Sequence, residues 1–497
     1  MRITEVFGAA GCRLALGALL AAGANFALPA SACAQASPIA DEKTAQLLLR
    51  LISFDTSNPP GNTRALAEFL QTQFAPLGAK VEIITAPNGA ATHFIARLRG
   101  DGSKKPVLLA AHADVVPVEP GWTVPPFAGV ERDGYILGRG AMDFKGGMAV
   151  FARAVMMLAE NKVPLSRDVI FLAEADEEQG EYGTKWLAEN HWEKIDAEFA
   201  LNEGGWILEN ESGVAQQVNI TTTDKVSVTF TLTAHGVSTH SSRPLPPEQT
   251  AIGRLVAALA RLAVHDPDAK LTPQTTEYFN ALAKTSTGRL AADLRIFTHT
   301  QAPQARNAAA KRIVAESDYP LLLHALMRDT MVITKVNAGI KANVIPGTAE
   351  ATVNVRMLPG TTVDEIVAEI KRVLGDPGID IEILSPFPQK QEEARAYYSR
   401  RSAALRSSTD TALYRALSEQ AKRLWPEAEV VPAVFEAGTD AYAWRERNVP
   451  VYGIYPYPLN NETLLRMHGK DERVGVKDLE QGTAWVYNTL VEVAGKQ

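Results

Sequence analysis

Cysteine is nearly absent from these 497 residues: there are two, Cys12 and Cys33, both close to the N-terminus. The remainder of the chain therefore forms no disulfide and offers no thiol nucleophile or thiolate metal ligand. Excess positive charge is missing too, with 50 Lys and Arg against 57 Asp and Glu and a formal net charge of −7. No long run of lysine or arginine occurs, which argues against nucleic acid or an anionic membrane surface as the main partner. The longest apolar stretch, Leu14 to Leu28, is too short and too rich in alanine for a membrane span. Internal repeats and low-complexity tracts are likewise lacking. What remains is ordinary globular material, 46% hydrophobic and 22% charged, and too long for one typical domain.

The N-terminus has the layout of a secretory signal. Arg2 and Arg13 precede the Leu14–Leu28 stretch, and small residues follow at Ala30-Ser31-Ala32-Cys33-Ala34-Gln35-Ala36. Residues 1–36 are expected to be a signal peptide cleaved after Ala34 or Ala36, giving an exported, periplasmic or secreted protein. Lipid anchoring through an acylated Cys33 is a minor alternative, since Ala30 stands where a leucine would be more persuasive.

From about Asp41 to Thr223, short apolar runs alternate with helical patterns. Val107 to Ala111, Val169 to Ala173 and Glu198 to Leu201 suit strands buried on both faces, and Lys145 to Asn161 suits a helix ended before Pro164. Such alternation implies an α/β sandwich, in which active groups gather beyond the carboxyl ends of strands. At Lys225 the pattern changes: Val226, Val228, Phe230 and Leu232 alternate with polar residues, as do Ala351, Val353, Val355 and Met357. Helices are expected at Pro247 to His265 and at Thr362 to Leu374, the latter opened by a Thr362…Glu365 capping box. Residues 224–385 therefore form an expected α+β insertion into a domain built from 41–223 and 386–497. The stretch Asp266 to Pro320 is expected to add helices to the insertion. A helix near Thr411 to Leu424 and a strand from Val449 to Tyr455 return to the first sheet.

Acidic and histidine residues collect at the strand ends. His112 and Asp114 end one apolar run, with Asp143 downstream; Asp176-Glu177-Glu178 and Asn202-Glu203 follow others. Two divalent cations would find negative charge on Asp143, Glu178 and Glu203 and neutral ligands in His112 and His468, with a bridging hydroxide for balance. One carboxylate shared by both ions would hold them roughly 3.5–4 Å apart. Mixed imidazole and carboxylate ligation favours zinc, with cobalt or manganese also compatible. The Asp114 carboxylate is expected to accept the free N–H of His112. Of the adjacent Glu177 and Glu178, one can bind metal while the other moves a proton.

The chain resembles the M20 family of metallopeptidases, which includes aminoacylases, glutamate-type carboxypeptidases and succinyl-diaminopimelate desuccinylase. The matching segments are His112-Ala113-Asp114-Val115-Val116-Pro117, Gly138 to Gly147 around Asp143, Asp176-Glu177-Glu178, Asn202-Glu203-Gly204-Gly205, Gly438-Thr439-Asp440-Ala441 and Met467-His468-Gly469. The likeness begins near Thr56-Ser57-Asn58-Pro59-Pro60-Gly61 and covers almost all of the chain beyond the leader. It implies a di-zinc hydrolase sandwich with an inserted lid that commonly mediates dimerisation. One metal would be held by His112, Asp143 and Glu203 and the other by Asp143, Glu178 and His468, with Glu177 as general base. Glutamate at position 203 is similar to the aminoacylase and carboxypeptidase members.

In the insertion, Thr239-His240-Ser241-Ser242-Arg243-Pro244 resembles the segment whose histidine stabilises the oxyanion, in some members at the partner subunit's site. Asn343 lies in Gly339 to Pro346, which resembles a substrate-binding turn. Arg356, on the polar face of its strand, is placed to clamp a substrate carboxylate. The expected activity is hydrolysis of an amide next to a free carboxylate, in a dipeptide, a peptide C-terminus or an N-acyl amino acid. A related aminopeptidase and a catalytically silent peptide-binding protein are the rivals.

Overall fold

The computed structural model describes residues 43–385, 390–403 and 406–496. The expected leader, both cysteines and Pro386-Phe387-Pro388 lie outside the described residues. Eight strands form one mixed sheet in the order Lys80–Thr85, Thr92–Leu98, Val169–Glu174, Val107–His112, Phe199–Glu209, Val451–Leu459, Ala215–Asp224 and Glu429–Phe435. The four from Val169–Glu174 to Val451–Leu459 run parallel to one another, while Thr92–Leu98 and Ala215–Asp224 flank them antiparallel. Every residue of Val107–His112 and Val169–Glu174 is buried, which is why these runs are continuously apolar rather than alternating.

Helices cover both faces. On one side Lys145–Glu160, Ala412–Leu424 and Val476–Ala494 contribute Phe151, Leu417 and Trp485 to the main core. On the other, Leu187, Ile195 and Trp444 pack against Leu108, Ala110 and Ile170. The result is an α/β sandwich with His112 at the carboxyl end of a central strand.

The second sheet is antiparallel, in the order Thr330–Ala338, Thr348–Met357, Val226–His235 and Ile379–Ile383. Val226, Val228, Phe230, Leu232 and Ala234 turn to one face and are buried against the helices Ala251–Ala263 and Val363–Leu374, as their period of two requires. Thr362 and Glu365 form the capping box at the second helix.

Two expectations are corrected. The helices Pro273–Thr285, Gly288–His299, Pro303–Glu316 and Pro320–Leu326 do not join the core of the second sheet. Their Tyr278, Phe279, Phe297, Ile313 and Leu322 belong to the core of the large sheet, and Tyr319 donates to the carbonyls of Glu209 (2.5 Å) and Leu459 (3.2 Å) there. Helical periodicity identifies an apolar face but not the sheet that receives it. The strand expected to end at Leu201 instead continues to Glu209. Glu203 therefore sits within a strand, at a register irregularity opposite Gly453 and Ile454. Gly204 has φ 154°, and a Cβ there would meet Thr221 Oγ1 at 2.3 Å; only glycine lets these strands approach so closely. Among the described residues no helix is long and apolar enough to cross a membrane.

Candidate metal centre

His112 is the last residue of its strand, Asp143 ends the loop before the helix Lys145–Glu160, and Glu177 and Glu178 follow the strand Val169–Glu174. Glu203 projects from the irregular strand, and His468 comes from the loop after the helix Asn461–Leu464 with left-handed backbone at φ 59°. These segments bring their donors to one point. His112 Nε2 lies 3.1 Å from Asp143 Oδ1 and 3.5 Å from Glu203 Oε2. His468 Nε2 lies 2.8 Å from Asp143 Oδ2 and 3.6 Å from Glu178 Oε1. Asp143 thus stands between the two histidines, one oxygen toward each. Donor atoms of His112, Asp143 and Glu178 lie within 4.8 Å of one another, as do those of His112, Glu177 and Glu203.

Asp114 takes a different part from the one expected. Nδ1 of His112 is 2.9 Å from the Asp114 backbone carbonyl, while the carboxylate is 3.8 Å away. The carboxylate instead accepts the backbone N–H groups of Glu177 and Glu178, both at 3.1 Å, and Asn58 Nδ2 at 2.8 Å. Asn58 also donates to Asp176 at 2.7 Å, and Asp176 holds a left-handed φ of 68°. The carbonyl therefore fixes the ring of His112, and the carboxylate holds the turn that presents the two glutamates.

Two further residues support the centre, and periodicity gave no sign of them. Glu472, fully buried, accepts the N–H groups of Met142 (2.8 Å) and Asp143 (2.9 Å) and pairs with Arg139 at 2.6 Å. Tyr455, stacked on Trp206, donates from its phenol to Asp143 Oδ1 at 2.9 Å, with Glu203 Oε2 at 3.2 Å.

The proton affinities record a crowd of carboxylates. Burial pushes Glu203 up to about 7 against the opposing charge of His112, and burial with the charge of Asp143 pushes Glu178 up to about 7. Burial first, then the charge of Glu203, raises Glu177 well above the usual carboxylate range. Burial would raise Asp143 as well, but hydrogen bonds from His112 and His468 hold it far below that range. Burial would lower both histidines. The charge of Glu203 lifts His112 well above its ordinary value instead, and the Asp143 hydrogen bond lifts His468 to about 9. Carboxylates and imidazoles crowded in this way could hold divalent cations, whose binding would displace these protons.

The donor set fits two divalent ions. It combines imidazole with carboxylate, it shares one carboxylate between two histidines, and Glu178 Oε1 is buried without a hydrogen-bond partner among the described residues. The cluster opens into a cavity of about 380 Å³ that also holds Glu177, Arg356 and Asp440.

Comparison with known proteins gives the same assignment. Residues 108–492 match the sequence profile of peptidase family M20/M25/M40. The chain belongs to this family. The mouse N-fatty-acyl-amino acid synthase/hydrolase PM20D1 is 30% identical over 456 residues, covering 87% of this chain and 84% of that one. A probable carboxypeptidase S-like 2 of Dictyostelium discoideum is 30% identical over 405 residues, covering 78% and 72%. In structure, the M20 metallo-carboxypeptidase Sso-CP2 of Sulfolobus solfataricus superposes with a TM-score of 0.64 at 18% identity, covering 90% of this chain and 99% of that one. The chain is thus an M20 hydrolase of the metallopeptidase and carboxypeptidase-like kind.

His240 and Asn343 are not drawn into this M20 cleft. They lie on the paired segments Thr239–His240 and Val344–Ile345 and the turn between Ala338 and Val344. Asn343 Nδ2 is 3.4 Å from His240 Nε2, His240 Nδ1 is 2.9 Å from Ser242 Oγ, and both residues are exposed. Neither lines the cavity.

Proposed function

We propose that this M20 enzyme hydrolyses the amide bond of N-acyl amino acids and short peptides whose amino-acid part bears a free carboxylate. The observation that carries this reading is one cavity holding the ligand cluster and Glu177 together with the guanidinium of Arg356. Burial lowers the proton affinity of that guanidinium while the charge of Glu177 opposes it, which fits a base and a carboxylate anchor facing one substrate.

In this reading His112, Asp143 and Glu203 hold one divalent ion and Asp143, Glu178 and His468 the other, zinc being favoured and cobalt or manganese compatible. When bound, the pair supplies Lewis-acid polarisation of the scissile carbonyl and acidifies water. Glu177 takes the proton of the attacking water and returns it to the leaving nitrogen. Asp114 keeps Glu177 and Glu178 in place through their N–H groups, and Arg356 grips the substrate carboxylate. His240, with Asn343 beside it, supplies a donor to the developing oxyanion. Because this pair stands outside the cavity, it acts after lid closure or, as we infer, from the lid of a second copy in a homodimer. The exposed edge strand Thr330–Ala338 supports such a pairing. Residues 1–36 support export.

The test is a panel of N-acyl amino acids, blocked dipeptides and free-amine dipeptides, with products identified. Release of a free amino acid from the blocked substrates is expected. Cleavage confined to substrates with a free amine would replace this reading by an aminopeptidase.

A further inference from the structure

The cavity beside the candidate metal centre is lined by a second guanidinium. Arg401 comes from the helix Gln391–Ser402, far in sequence from Arg356 on the strand Thr348–Met357. Both side chains line the cavity. Arg401 Nη2 donates to the Thr439 carbonyl at 3.2 Å, and its guanidinium lies 4.9 Å from the ring centre of Tyr442. That pairing of a carbonyl and an aromatic face fixes a planar cation without neutralising it. Among the described residues neither arginine has a carboxylate within 4.0 Å.

Gly438 locates the point on which they converge. A Cβ built there would stand 3.8 Å from Arg356 Nη1 and 3.8 Å from Arg401 Nη2. Two like charges brought to one spot in a partly buried cavity repel, and an anion between them removes that cost. A carboxylate has two oxygens and so can present one to each guanidinium. The same cavity is also lined by the carboxylates of Asp143, Glu177, Glu178, Glu203 and Asp440, which repel a further negative group, so the point between the two guanidiniums is where one is attracted.

We propose that Arg401 is the second half of a two-guanidinium carboxylate site, and that position 438 is bare so that the substrate carboxylate can lie between Arg401 and Arg356. The inference rests on the reading of the cavity as a site for carboxylate-bearing amides and adds a specificity residue to it. Tyr397 and Tyr442, with ring centres 5.9 Å apart, then wall the space beside the carboxylate where the amino-acid side chain lies.

The test compares an N-acyl amino acid with its neutral C-terminal amide in the metal-loaded enzyme. Arg401→Gln is expected to raise KM for the acid about 10–100-fold, the worth of a charged hydrogen bond, with kcat little changed and the amide unaffected. Arg401→Lys should recover part of the loss, and Gly438→Ala should weaken the acid selectively. Equal losses for acid and amide, or an unchanged KM for the acid, would overturn the proposal. Calorimetric binding of the same acid to the Glu177→Gln protein, with and without Arg401→Gln, reads the site without turnover. A 10–100-fold loss of affinity there supports the clamp even where wild-type enzyme fails to cleave the compound, an outcome that counts against the proposed reaction alone. Unchanged affinity overturns the clamp whatever the turnover.

Discussion

In the buried cluster beside the large sheet, His112, Asp143 and Glu203 are 1%, 7% and 5% exposed, and each side chain lies within hydrogen-bond reach of a neighbour. On and beside the two-stranded pairing of Thr239–His240 with Val344–Ile345, His240 and Asn343 are exposed, and their side chains lie near each other and near Ser242. The difference has a physical reason. Ligands of a doubly charged ion must be held in place before the ion arrives, because reorganising them would cost part of the binding energy. A donor to a transient oxyanion has to be delivered only when substrate is bound, and a rigid placement inside the cleft would obstruct entry. On the proposed reading, the chain would thus pair a fixed half-site built from buried strands with a deliverable half-site on an exposed loop.

The comparison breaks most sharply at Glu177. Glu177→Gln preserves shape and the N–H bonds to Asp114 but removes the proton acceptor. Turnover is expected to fall about 10³-fold, within the range for a general base, with metal content by elemental analysis unchanged. Near-normal turnover would remove Glu177 from its role, and loss of metal would make it a ligand.

His240→Ala probes the other half. It is expected to lower kcat about 10²-fold while leaving metal content and melting temperature as they are, since the residue is exposed. Mixing Glu177→Gln with His240→Ala protein sharpens the point. If His240 serves the site of a second copy, each mixed dimer contains one site with both Glu177 and a donated His240, and activity partly returns. Absence of recovery in a verified mixed dimer would assign His240 to its own cleft after lid closure.

Tyr455→Phe tests how much of the fixed half depends on support behind the ligands. Losing the phenol that donates to Asp143 should weaken metal binding about 10-fold, the lower end for such supporting bonds, with a smaller effect on kcat at saturating metal. Competition with a chelator measures it. Unchanged affinity would leave Tyr455 a packing residue stacked on Trp206.

How far these roles were legible follows the same division. Continuous apolar runs such as Val107 to Ala111 betray buried parallel strands, and a histidine or carboxylate just beyond such a run is brought to the same edge as the others. Strict alternation from Val226 to Leu232 betrays the half-exposed sheet. Supporting contacts leave no local trace: Glu472 reaches Arg139 and the Asp143 loop across more than 300 positions. Nor does spacing distinguish a carboxylate from the carbonyl of the same residue: the Asp114 carboxylate is expected at His112, but it grips the turn at Glu177 and Glu178. The helices between Pro273 and Leu326 show the third limit, since an apolar face does not name its partner.

A last prediction concerns the protons that occupy the fixed half. In the metal-free fold Glu178 and Glu203 are raised to about 7 from 4.5, and His468 is raised to about 9 from 6.5. Each folded value exceeds the unfolded one. Their stabilising contribution is therefore full below the unfolded values and is lost as pH rises through about 7 and then about 9. Asp143 opposes this only in strong acid, because its folded value is depressed. Metal binding has the reverse dependence, since its ligands must give up those protons. Chelator-treated protein is thus expected to melt a few degrees lower at pH 8.5 than at pH 6, while zinc-saturated protein does not, so the gap between them widens with pH. A gap that stays constant would mean that metal does not displace these protons, and that the crowded carboxylates are not its ligands.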